Sequence, residues 1–276
     1  MIRSTFCHLQ GIGQGSERRL WADGLLTWAD ALASDRIVPR VGRLADRIAA
    51  SAEAFDRADY GHFASICTGS QAWRWYGLLS DRCVFLDIET TGLSPGRDVV
   101  TVVGCYDGRE VSLFVRDDNL HLLRDYLRDF DLVVTYNGAT FDLPFLRHTM
   151  PGLWLPPVHL DLRYPLRALG YSGGLKAIEQ TTGLGRDSEL LAVDGFMAVL
   201  LWQQHLRGDE RALPTLLRYC AEDVVGLRPL AELVYSRQLA ALPPLPVTAI
   251  EPAPRTELAL PWHPDLVAEL GGRATA

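Results

Sequence analysis

Lysine is almost missing from this chain: of its 27 Lys and Arg residues, Lys176 alone is lysine. The 34 acidic residues outnumber them, and the formal net charge is −7. That sign excludes a protein that coats nucleic acid by bulk electrostatics, which needs a surplus of cations to release the polyanion's counterions. It leaves room for an enzyme that grips a strand end through metal ions and a few arginines. Cysteine is scarce too, with five residues and no Cys-x-x-Cys pair. Cys7, Cys67, Cys83, Cys105 and Cys220 therefore read as reduced, mostly buried thiols, not as a disulfide framework or a zinc site. None of the seven histidines stands at metal-ligand spacing. Long apolar runs are absent as well. Met1 to Gly15 offers no hydrophobic centre for a signal peptide. A stretch such as Phe196–Trp202 is far shorter than the roughly 20 residues that cross a bilayer. The expectation is a soluble, cytoplasmic protein with no membrane association.

What is present is a globular composition, 48% hydrophobic and 22% charged, long enough for one sizeable domain and a smaller one. Residues 1–80 read as a helical region. Arg18–Leu32 and Val41–Phe55 carry apolar residues at helical spacing, with Gly11-Ile12-Gly13 and Asp23-Gly24 as turns. Trp73, Trp75 and Tyr76 cluster in Gln71–Leu79 and are expected to cover a hydrophobic face. The pattern changes at Arg82. Cys83–Ile88, Val99–Tyr106 and Glu110–Val115 read as a three-strand meander with a turn at Asp107-Gly108. Asp118–Phe130 follows as an amphipathic helix, Leu132–Tyr136 as a buried strand, Phe141–Arg147 as a helix and Val158–Leu160 as a fifth strand. From Leu175 to about Leu239 the pattern is mainly helical. This order predicts an α/β fold, a mixed sheet with flanking helices over residues 81–240. Residues 241–276 are rich in proline and read as an extended tail with a short helix around Asp265–Leu270.

Three short motifs carry acidic residues. In Asp87-Ile88-Glu89-Thr90-Thr91-Gly92-Leu93, alternation along a strand puts Asp87 and Glu89 on one face, with Ile88 buried opposite. Two like charges about 4 Å apart repel by ~4 kcal/mol in a partly buried setting. A divalent cation removes that penalty, and oxygen-only ligands suit Mg²⁺ or Mn²⁺. In Tyr136-Asn137-Gly138-Ala139-Thr140-Phe141-Asp142, Asp142 falls at a strand-to-helix junction, where it would complete a metal site or simply cap the helix. In Tyr219-Cys220-Ala221-Glu222-Asp223, helical spacing puts Tyr219 and Asp223 on one face. Each motif alone also fits a polar turn, a cap or an exposed helix face.

Together, and in this order, they resemble the DEDD exonucleases of the ribonuclease H-like superfamily, in the tyrosine-bearing branch, and most closely the bacterial YprB-type proteins. The resemblance rests on Asp87–Leu93, Tyr136–Leu146, His159–Leu162, Leu175–Glu179 and Tyr219–Val224. It implies a ribonuclease H-like fold and a 3′→5′ exonuclease acting on the 3′ end of DNA or RNA. Asp87, Glu89, Asp142 and Asp223 would be the acidic ligands of two Mg²⁺ or Mn²⁺ ions, and Tyr219 would orient the attacking water. Thr90, Thr91 and Leu93 match positions that contact the terminal nucleotide in relatives, and Asn137 matches one that shapes the site. Lys176, inside the matching Leu175–Glu179 segment, would contact a phosphate or orient a carboxylate. Asp161 is expected to cap the helix after the fifth strand. Leu9–Gly13 with the following Glu17, Leu20 and Gly24–Trp28 resembles half of a helix-hairpin-helix, a module that offers backbone N–H groups to a phosphate. This makes Gly11 and Gly13 candidate phosphate contacts; the alternative is a turn that packs the helical region onto the rest. Two other functional readings remain: a structure-selective endonuclease on the same fold, and a non-catalytic nucleic-acid-binding module.

Overall fold

The computed structural model describes residues 1–34, 42–63, 67–185 and 195–274. A five-stranded sheet forms its centre: β1 (Cys83–Thr90), β2 (Val100–Tyr106), β3 (Val111–Val115), β4 (Leu132–Thr135) and β5 (Val158–Asp161), in the order β3-β2-β1-β4-β5. The meander β1–β3 is antiparallel, whereas β4 and β5 run parallel to β1. The sheet is covered on both faces, which is why β1 and β2 are apolar almost throughout. On β1, Val84, Leu86 and Ile88 pack with Leu123, Phe145 and Leu146, while Phe85 turns the other way, to Tyr106 and Tyr76.

The helices depart from the expected pattern in several places. The stretch Arg18–Leu32 is two helices, α1 (Gln14–Ala22) and α2 (Trp28–Ala33). Gly24 takes φ +86° between them, and the N–H of Leu25 returns to the Leu20 carbonyl, closing α1. A capping box of Thr27 and Asp30 then starts α2. α3 covers Gly42–Asp56; Val41, expected in it, lies outside the described residues. A 3₁₀ helix, Gly69–Trp75, runs into α4 (Tyr76–Leu79). Where one helix was expected over Asp118–Phe130, one α-turn, α5 (Leu123–Tyr126), lies between two 3₁₀ turns. Leu123 and Leu127 are still buried, so the apolar stripe held and only the regularity was lost. α6 (Asp142–Thr149), α7 (Arg163–Ala168), α8 (Leu175–Thr182), α9 (Gly195–Leu206) and α10 (Ala212–Ala240) follow.

Residues 1–80 share one buried cluster with the sheet. Trp21, Trp28, Ile48, Phe63, Trp73 and Trp75 belong to it together with Phe85, Leu132, Leu160 and Tyr235. Glu17 is buried in this region. It accepts the N–H groups of Phe6 and Cys7 and pairs with the equally buried Arg74 at 2.7 Å. A 3₁₀ turn, Ile2–Ser4, lies before the Gly11–Gly13 turn. The cysteines are free, four buried and Cys7 half-buried.

The C-terminal segment is held against the body of the protein. It returns along α10 and ends in α11 (Pro264–Ala274), whose Leu266, Val267 and Leu270 pack with Met197, Leu201 and Trp202 of α9. Among the described residues, no helix is long and apolar enough to cross a membrane.

Candidate functional site

Strand β1 delivers the first two carboxylates. Asp87 pairs in register with Gly104 of β2, and Glu89 with Val102, so both side chains stand on the face that α10 crosses. The crossing is close because residue 104 has no side chain. A Cβ there would lie 2.7 Å from Cys220 Sγ and 3.1 Å from Val224 Cγ1. Asp87, Glu89 and Cys220 consequently bring one donor atom each within 4.8 Å of one another. The register shifts at Glu89/Thr90, and the chain leaves the sheet there. The Thr90 hydroxyl donates to the Gly92 carbonyl at 2.5 Å, and the Thr91 hydroxyl accepts the Val99 N–H at 3.0 Å. Both hydroxyls therefore serve to fold the loop after β1. Gly92 is required in that loop, since a Cβ would strike the Asp98 carboxylate at 2.6 Å.

Asp142 is the first residue of α6, one position inside its cap residue Phe141, and it is 3% exposed. Its Oδ1 is buried without a hydrogen-bond partner. Burial pushes this carboxyl up to about 7; the charges of Asp161 and Asp223 add to the effect, and the backbone N–H groups of Asp142 and Ile88 oppose it. Asp223 follows Tyr219 by one turn of α10, and both are buried. The four predicted carboxylates are thus brought together by β1, α6 and α10.

Beside them lies a cavity of about 480 Å³. Its polar wall includes Asp87, Glu89, Tyr219 and Asp223, and the Thr90–Leu93 loop closes one side. Its apolar wall comes from Ile88, Phe141, Phe196 and Val199. Leu93 and Phe196, both at this cavity, are 80% and 60% exposed. The sequence reading missed Phe196. Its only signal was an apolar run too uniform to show which residue faces outward.

Lys176 is brought to the site. Its Nζ lies 4.8 Å from the centre of the Tyr219 ring, a cation–π contact. Asn137 is not among the cavity-lining residues. It adopts φ +66°, and its Oδ1 accepts from the Thr140 hydroxyl at 2.9 Å and from Arg163. Asp161, expected to cap α7, precedes its cap residue Leu162. Besides the Arg163 N–H at 3.1 Å it accepts those of Asn137 and Ala139 at 2.8 and 3.0 Å, and so ties the loop that leads to Asp142.

The donor set fits a hard divalent cation: four carboxylates, one with a buried, unsatisfied oxygen and a raised proton affinity. The family described as RNase_H superfamily (RNase_H_2) matches residues 84–235, more than half of the chain, and the chain belongs to that superfamily. The strand order and mixed sheet are those of the ribonuclease H-like fold. No curated protein matches the chain. Among solved structures it is similar to Mg²⁺-bound NrnC from Brucella melitensis, at 24% identity and a TM-score of 0.41, over 58% of this chain and 74% of that one. It is also similar to Escherichia coli RNase D, an exoribonuclease involved in structured RNA processing, at 18% identity and a TM-score of 0.41, over 62% of this chain and 43% of that one. A third is the family B DNA polymerase of Pyrobaculum calidifontis, at 22% identity and a TM-score of 0.43, over 57% of this chain and 24% of that one. At these identities the likeness is one of fold.

Proposed function

We propose that this protein is a two-metal-dependent 3′→5′ exonuclease that hydrolyses phosphodiester bonds of DNA or RNA, in the tyrosine-bearing DEDD branch and of the YprB type. The observation that carries the reading is the convergence of Asp87, Glu89 and Asp223 beside Tyr219 at one cavity, with the buried Asp142 close enough to feel the charge of Asp223. These four side chains would hold Mg²⁺ or Mn²⁺. Such ions supply Lewis acidity and neutralise charge on the oxygens of the scissile phosphate. The protein's own groups do the positioning. The Tyr219 hydroxyl orients the attacking water, and Lys176, against the ring of Tyr219, contacts a phosphate or orients a carboxylate. Leu93 and Phe196 give the terminal base two apolar surfaces to stack on. Asn137 shapes the site through the loop that presents Asp142.

A net charge of −7 makes the grip local. The exposed Gly11-Ile12-Gly13 turn ahead of α1 offers a remote contact to the phosphate backbone. The test is cleavage of end-labelled DNA and RNA oligonucleotides with Mn²⁺, Mg²⁺ or EDTA. A metal-dependent ladder shrinking from the 3′ end is expected. Internal cuts would mean an endonuclease, and shifted but uncut substrate a binding module.

A further inference from the structure

The family match ends at residue 235, yet the chain continues by returning along α10 in the opposite direction. The Tyr235 hydroxyl donates to the Thr248 carbonyl, and the Ser236 hydroxyl to that of Ile250 at 2.8 Å. The Ala253 N–H donates to Glu232 at 2.6 Å, Arg218 to the Leu260 carbonyl at 2.8 Å, and the His263 N–H to the Thr215 hydroxyl at 3.0 Å. The segment thus follows α10 from its last turns to its first, passing the turn that holds Tyr219 and Asp223.

At that turn it inserts Arg255. Its guanidinium lies 2.6 Å from Glu222 Oε2, 2.7 Å from the Glu222 carbonyl oxygen and 3.2 Å from Glu179 Oε1. Glu222 is the residue before Asp223, and Glu179 comes from α8, the helix that carries Lys176. Glu179 is fully buried, Glu222 is 5% exposed, and Arg218 takes the other Glu222 oxygen at 2.7 Å. The approach of Glu179 depends on Gly226, one turn after Glu222, because a Cβ there would collide with Glu179 Oε1. Two buried carboxylates next to a cluster of four more are costly unless a cation stands between them. A guanidinium presents its donors in a fixed planar fork, which suits three acceptors on two helices at once.

We propose that Arg255 is a positioning residue for the metal centre, a role that rests on the carboxylate reading above. It fixes the backbone of α10 at Glu222, and with it the direction of Asp223, while cancelling charge that would push α8 and α10 apart.

The test uses the full chain. Arg255→Ala is expected to raise the Mn²⁺ concentration for half-maximal cleavage by about tenfold to a hundredfold, the usual cost of losing a group that supports a metal ligand. The fall in kcat at saturating Mn²⁺ is smaller, and the Mn²⁺-induced rise in melting temperature shrinks in parallel. Arg255→Lys keeps the charge but not the fork and lies in between. Arg255→Ala combined with Glu179→Gln lowers the negative charge left at this contact and recovers much of the Mn²⁺ response. This pair and Arg255→Lys carry the test if Arg255→Ala alone does not fold. A variant that melts earlier but keeps the wild-type Mn²⁺ midpoint would make Arg255 a structural strut and overturn the proposal. So would a double variant no better than Arg255→Ala. A wild-type chain that neither cleaves nor gains stability with Mn²⁺ would remove the metal centre itself, a failure distinct from these two.

Discussion

Asp142 and Asp161 are two acidic side chains of similar burial with opposite fates. Asp161 spends both oxygens on three backbone N–H groups, whereas Asp142 keeps one oxygen buried and unsatisfied and has its proton affinity raised. The proposed metal centre accounts for a carboxylate left in that state, and Tyr219 gives the sharpest single-residue test of that proposal. Tyr219→Phe keeps the ring and the Lys176 contact and removes only the hydroxyl. Turnover is expected to fall by about 10²-fold, the range for one positioned catalytic group, with the Mn²⁺ midpoint unchanged. Steady-state kinetics across a Mn²⁺ series reads both quantities, and full turnover would reduce Tyr219 to packing. A second titratable residue acts on stability. His8 is 5% exposed, packs on Trp28 and Phe63, and bonds Ser51 through Nε2. Burial lowers its pKa to about 4; the charges of His62 and Arg74 push the same way, and only the Thr5 backbone opposes. Above the ordinary value of 6.5 it contributes no pH dependence. As pH falls from 6.5 toward 4 the unfolded chain takes up a proton that the folded chain refuses, so stability declines by up to ~1.4 kcal/mol per pH unit. Urea melts at pH 7 and pH 5 should show a smaller difference in His8→Gln than in wild type.

At the level of elements, the packing of α10 on β2 decides whether the carboxylates meet. Gly104→Ala should force Cys220 and Val224 away from the sheet, costing about 1–3 kcal/mol. Cys220→Ala in the same chain should return part of it. Denaturant melts of the two single variants and the double variant measure the coupling, and additive costs would mean that the helix does not touch the sheet at this point. This contact also marks the limit of what the sequence revealed. The five strands were legible because β1, β2 and β4 are buried on both faces, so their apolar runs have nothing to disguise them. The acidic cluster was legible through the family resemblance: strand alternation puts Asp87 and Glu89 on one face and helix periodicity does the same for Tyr219 and Asp223, but each motif alone also fits a turn, a cap or an exposed face. The break at Asp23-Gly24 was visible as a turn, although the apolar spacing continued through it. In the C-terminal segment the short helix around Asp265–Leu270 was legible, whereas its path along α10 was not, because the hydrogen bonds and the Arg255 contacts that help to hold it leave no periodic trace. Glu179 and Glu222 stood inside the recognised motifs, but nothing in the sequence pointed to the arginine that joins them.

For the whole molecule, the shared core means that residues 1–80 are bound to the fold as much as to any substrate. Trp73 and Tyr76 both pack on Tyr235 of α10, and Arg74 anchors Glu17 of α1. Deleting this region would therefore confuse lost packing with lost binding, and a surface substitution separates the two. Gly13 is exposed, precedes α1 as its cap residue, and has φ −90° and ψ 174°, an extended conformation open to any residue. Aspartate is favoured at that position, so Gly13→Asp should leave the melting temperature unchanged or slightly raised. It also places a negative charge where a phosphate would sit. If the Gly11–Gly13 turn holds the nucleic-acid backbone, KM for long substrates rises while KM for substrates of two or three nucleotides does not. The dependence of log K on log salt then becomes shallower by about 0.9 for duplex DNA or 0.7 for a single strand, the loss of one phosphate contact. Binding of long and short oligonucleotides across a salt series decides it. Equal slopes and equal affinities for the two chains would leave the turn as a connector between the N-terminal segment and α1, with the substrate held by the metal centre and its apolar rim alone.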